Sequence, residues 1–107
     1  MRYAIVINLD YDSNSYDDCH RIWEDIRRFM VEAGFRIEGR LFTTTMKGQE
    51  ACSLARDVID EVNSLSEYED HDIYAYMKEF YGYDHTRTVN LLLPPEDTMT
   101  IEIGVTD

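Results

Sequence analysis

Two carboxylates one residue apart, Asp10 and Asp12, end an apolar, largely β-branched run in the stretch YAIVINLDYD from 3 to 12. A strand fixes the backbone there and the loop beyond it exposes side chains, so groups placed just past a strand end are well set for chemistry. Paired carboxylates could hold Mg²⁺ or Mn²⁺ through a few oxygens, with water filling the remaining positions. In a symmetric dimer two Asp10 side chains could meet on the axis and share one ion. The same residues suit an Asx-turn, in which Asp, Ser and Asn stabilise the loop before a helix, and DSNSYDD follows directly. The two readings stay open at this point. His85, beside Asp84, is the candidate to assist Asp10 and Asp12 as an acid or base. His20, His71 and His85 have no metal-ligand spacing, and the chain has no glycine-rich phosphate loop, zinc motif or ordered Ser–His–Asp set. No cofactor is expected outside the metal reading. Cys19 and Cys52 fall on apolar helical stripes without a CxxC spacing and read as small hydrophobes.

Charge narrows the chemistry. The 107 residues carry 22 acids and 10 bases, a formal net charge of −12. The excess is spread along the chain: −3 over 1–35, −5 over 36–72 and −4 over 73–107. Such a surface repels a polynucleotide unless a metal or a local patch offsets it, and no basic stretch follows the first strand. Acids at Asp57, Asp60 and Glu61, then Glu67, Glu69 and Asp70, form an outward stripe suited to a basic protein. Five tyrosines crowd 68–83, and Tyr74, Tyr76 and Tyr81 are candidate interface residues, since tyrosine offers a large rigid area with a polar tip. Ordinary strand preference enriches tyrosine too.

These groups must be positioned by the elements around them. Ser15 reads as a helix N-cap with Asp17 and Asp18 in the first turn, and Cys19, Ile22, Trp23, Ile26, Phe29, Met30 and Ala33 give an apolar stripe that stops at Gly34. A second stripe runs from Ala51 through Leu54, Ala55, Val58, Ile59 and Val62 to Leu65. The helices are expected at 15–33 and 49–65, and strands at 3–10, 36–46, 73–81, 88–93 and 98–106, with Gly39 as a bulge in the second strand. The acidic segment EYEDHD before the third strand reads as a surface loop, and GYDHTR after it as another. The expected fold is a single α+β domain over 1–107, ferredoxin-like, with two helices on one face of a mainly antiparallel four- to five-stranded sheet. No apolar run approaches the ~20 residues of a membrane span, and the first residues lack a cleavable leader, so a cytoplasmic protein is expected.

The first strand ending in an acid, the Ala33–Gly34–Phe35 close of the first helix, RLFTTT feeding the second helix, and IYAYMKEF after an acidic loop together resemble a group of small ferredoxin-like proteins. The group comprises virulence-associated protein D, the GhoS antitoxin and the small nuclease-like subunit of the CRISPR spacer-acquisition complex. The resemblance covers 3–93 and matches Asp10 to the acid after the first strand. It implies a dimer, membership of toxin–antitoxin or mobile-element defence systems, and for some members a metal-dependent endoribonuclease.

Three function classes follow. The first is an acidic, dimeric binding protein of an antitoxin or phage-inhibitor type that occupies a basic nucleic-acid-binding site on a partner protein. The second is an endoribonuclease acting on RNA through Asp10 and a divalent metal, with Asp12 or His85 assisting. The third is a non-catalytic regulatory dimer. In each, the alternating segment 98–106 is expected to meet a second copy of the chain.

Overall fold

The computed structural model describes residues 2–86. Strand β1 spans Tyr3–Leu9, helix α1 Tyr16–Glu32, strands β2 and β3 Arg36–Glu38 and Leu41–Thr44, helix α2 Gly48–Asn63 and strand β4 Met77–Asp84. Two short 3₁₀ turns, Ser66–Tyr68 and Ile73–Tyr76, link α2 to β4. The sheet order is β2-β3-β1-β4 and every pairing is antiparallel. The crossover through α1 leaves a gap that β3 fills, and the crossover through α2 leaves one that β1 fills. This interleaving of two split βαβ units is the ferredoxin-like arrangement expected from the sequence. The strands expected at 88–93 and 98–106 lie outside the described residues.

Local signals set the helices. Ser15 Oγ accepts from Asp18 N–H at 3.2 Å, and Gly34, at φ 111°, turns the chain at the other end so that Phe35 N–H reaches Met30 O at 3.0 Å. Cys19, Ile22, Ile26 and Met30 of α1 and Ala51, Ala55, Val58, Ile59 and Val62 of α2 are buried. They close on Ile5, Ile7, Leu9 and Phe42 of the sheet. By strand alternation Ala4, Val6 and Asn8 point to the other face, beside Tyr83, Tyr81 and Glu79, their partners on β4. No helix among the described residues is long and apolar enough to cross a membrane.

Three local expectations are corrected. The single strand 36–46 is instead a hairpin: Glu38 pairs with Leu41 across Gly39–Arg40. Gly39 sits at φ 61°, the left-handed region needed at the first central position of a two-residue turn that matches strand twist. The third strand starts later, at Met77, and runs on through GYD to Asp84, because β1 supplies partners from Leu9 to Tyr3. Ile73–Tyr76 is wound by two caps: Asn63 Oδ1 accepts from Ile73 N–H at 2.9 Å and Asp72 Oδ1 from Tyr74 N–H at 3.1 Å. Finally, EYEDHD is not wholly at the surface. Tyr68 is 1% exposed, packs in the core, and donates its hydroxyl to Asp25 Oδ2 at 2.5 Å.

Candidate functional site

The end of β1 carries Asp10 into a tight loop. Its N–H donates to Tyr76 O at 2.8 Å, and its Oδ1 accepts from the N–H groups of Asp12 and Ser13, both at 3.1 Å. Its carbonyl accepts from Asn14 Nδ2 at 3.0 Å. Asp10 thus forms the Asx-turn that launches α1. Hydrogen bonds from the Ser13 side chain and backbone, then from Asp12, with Lys78 nearby, hold its carboxyl below the usual carboxylate range. The Asp12 side chain is 92% exposed and its Oδ2 lies 4.0 Å from Lys78 Nζ. Among the described residues, no three His, Cys, Asp or Glu side chains gather as a metal-holding group. His85 does not join Asp10 and Asp12. Because β4 runs antiparallel, His85 follows its far end and donates its N–H to Arg2 O at 2.9 Å. The seven residues of β1 separate them by about 23 Å at 3.3 Å per residue. There its ring stands edge-on to Tyr83, with centroids 5.7 Å apart.

The expected partner-binding residues divide among three places. Asp57, Asp60 and Glu61 are exposed at helical spacing on α2, and Tyr74 joins them, donating its hydroxyl to Asp60 Oδ1 at 2.6 Å. Burial, then Asp60, pushes the Tyr74 phenol up to about 12. Glu67 turns to α1, where the hydrogen bond and negative charge of Asp25 raise its carboxyl pKa. Glu69 is exposed just beyond. Tyr76 is half-buried against the core, edge-on to His71, and Tyr81, half exposed, lies on the face of the sheet away from the helices. The tyrosines therefore do not form one surface.

A feature that sequence reasoning missed lies where the hairpin stops short. The β3 ladder meets β1 only from Tyr3 to Val6, whereas β1 continues to Leu9. The step leaves a cavity of about 630 Å³ between the hairpin turn, α1 and β4, lined among others by Tyr11, Trp23, Arg40, Lys78, Asn8 and Glu79. Asn8 Nδ2 donates to Glu79 Oε1 at 2.8 Å. Arg40 and Lys78 stand 38 positions apart in the chain, so no run of bases announces them. The glycine that makes Gly39–Arg40 a turn is the signal that could have placed Arg40 at this end of the sheet.

No protein-family model matches the chain, and no curated protein matches it.

Proposed function

We propose that this protein is a small acidic binding protein of the antitoxin or phage-inhibitor type, acting in the cytoplasm by occupying a basic nucleic-acid-binding site on a partner protein. One observation carries the reading. Asp57, Asp60 and Glu61 of α2, with Glu69 beyond it, are exposed, and none enters an ion pair among the described residues. The acids that are paired, Asp18, Asp25 and Glu38 among them, sit elsewhere. Acids outside any ion pair on one helix, in excess over its one base, Arg56, and beside an aromatic ring at Tyr74, suit the Lys and Arg of a nucleic-acid-binding surface. The antitoxin side of the resemblance drawn from the sequence accords with it. A homodimer belongs to the same reading: among the described residues the eight-residue strand β4 is paired on one side only, an edge that invites a second chain.

The test is capture from lysate at low salt, followed by competition between this protein and nucleic acid for whatever stoichiometric partner is retained. Displacement of nucleic acid is expected. Reversing Asp57, Glu61 and Glu69 to Lys should slow association ~10-fold or more at low ionic strength, with the gap closing as salt shortens the Debye length. Unchanged association in the folded variant refutes the reading. RNA cleavage that needs Mg²⁺ or Mn²⁺ and disappears in Asp10→Ala would select the endoribonuclease instead.

A further inference from the structure

We propose that the step between the β2–β3 turn and the end of β1 binds one nucleoside monophosphate unit, either free or as the 5′-phosphorylated end of an RNA. The site is separate from the acidic surface of α2 and does not depend on it.

Basic groups are scarce in this chain. Acids outnumber bases 22 to 10, and the described ion pairs occupy Arg2, Arg21 and Arg28 with Glu38, Asp18 and Asp25. Arg40, like Arg27, Arg36, Lys47 and Arg56, has no carboxylate within 4.0 Å among the described residues, and Lys78 lies 4.0 Å from the highly exposed Asp12 and near Asp10. Arg40 and Lys78 thus line one cavity, together with the carboxylate of Glu79, whose Oε1 is taken by Asn8 Nδ2. A guanidinium and an ammonium on one concave wall suit a phosphate, which Arg binds through paired donors and Lys as a point charge.

The remaining lining says what accompanies the phosphate. The space, about 630 Å³, is far larger than an inorganic anion needs and within the range of small-molecule sites. Trp23 and Tyr11 bring ring surface to it, and stacking on such rings holds any nucleobase. A long polynucleotide fits less well. Two cations neutralise one phosphate, and each further phosphate would enter the field of a chain at −12.

Trp23 is the single tryptophan of the chain and provides the readout. Its fluorescence, excited at the red edge where nucleotides do not absorb, would be followed during titration with AMP, UMP, adenosine, inorganic phosphate and a 5′-phosphorylated dinucleotide, with calorimetry alongside. Saturable quenching by AMP or UMP is expected at or below roughly millimolar concentration. Adenosine and phosphate alone should each bind at least about tenfold more weakly, since each keeps only part of the contacts. Comparison of the mononucleotides with the dinucleotide identifies the source of the ligand. Arg40→Gln with Lys78→Gln should weaken AMP binding about tenfold or more and leave adenosine unchanged; both side chains are exposed, and the single Lys78→Gln variant serves if the pair perturbs folding. Absence of saturable binding of either mononucleotide, equal binding of inorganic phosphate and AMP, or full affinity in the folded double variant would each overturn the proposal. The capture experiment on α2 reads a different surface, so the two ideas fail independently.

Discussion

Gly82 shows how a single hydrogen atom in place of a side chain sets the geometry of this sheet. It pairs with Ile5 in the β1–β4 ladder, and the ring of Tyr3 passes over it. A methyl group at Gly82 would lie 2.6 Å from Tyr3 Cε2, 3.0 Å from Ile5 Cδ1 and 3.1 Å from Cys52 Sγ. The ring has little room to retreat, because on its other edge Gly48 leaves the same narrow space: a methyl group there would be 2.6 Å from Tyr3 Cε1. Gly82→Ala therefore forces an extra carbon between β1, β4 and α2. Overpacking of this kind costs ~1–3 kcal/mol, and alanine recovers about 0.5–1 kcal/mol by restricting the unfolded chain. Contacts of 2.6 Å on a ring held from both edges put the overpacking in the upper part of that range, so the expected net loss is about 1–2.5 kcal/mol, or roughly 4–20 °C in Tm for a domain of this size. Urea unfolding followed through Trp23 fluorescence measures it, with the slope against denaturant unchanged. In a Tyr3→Ala background most of the effect should vanish, giving a coupling of about 1 kcal/mol or more between the two positions. A Gly82→Ala variant as stable as the parent, or an equal loss in both backgrounds, would refute the reasoning.

Two further outcomes follow from the loop and the carboxyl pair. Asp10→Asn should keep most of the neutral-pH stability that Asp10→Ala loses, because an amide oxygen can still accept from Asp12 and Ser13 N–H. The parent should also have a contribution that Asp10→Asn lacks: a lowered carboxyl pKa stabilises the fold above the ordinary value of 3.8 and is lost as pH falls through the lower folded value. Urea midpoints of the three proteins from neutral pH to acid test both points. At Glu67 the sign is opposite. A raised carboxyl pKa means that the charged form is disfavoured in the fold, so Glu67→Gln should be more stable than the parent at pH 7, with the difference disappearing as pH falls to the ordinary value of 4.5 and below. Thermal melts at pH 7 and pH 4 show it, and a variant less stable at pH 7 would contradict the pairing of Glu67 with Asp25.

The elements legible in the sequence were those written in local chemistry. Ser15, the stripe from Cys19 to Met30 and Gly34 specify α1 within about a residue of where it lies, because caps and periodicity act within a few positions. The stripe of α2 and the apolar run of β1 work in the same way, and together they imply the ferredoxin-like order. The Asx-turn at Asp10 was legible for the same reason, as one of two readings. What the sequence left undecided depends on partners far along the chain. Tyr68 sits in an acidic segment that looks solvated, yet Asp25, 43 positions away, accepts its hydroxyl and lets the ring be buried. GYD reads as part of a surface loop until Tyr3 fills the space over Gly82 and β1 supplies hydrogen-bond partners as far as Asp84. The tyrosines look like one surface in sequence and are separated by the wound turn before β4 and by strand alternation, which sends Tyr81 to the face opposite the helices. Arg40 and Lys78 share a cavity only because a hairpin ends three residues before the strand beside it. Periodicity records which face a residue prefers, but strand lengths and registers decide which residues meet, since backbone hydrogen bonds between distant segments set them.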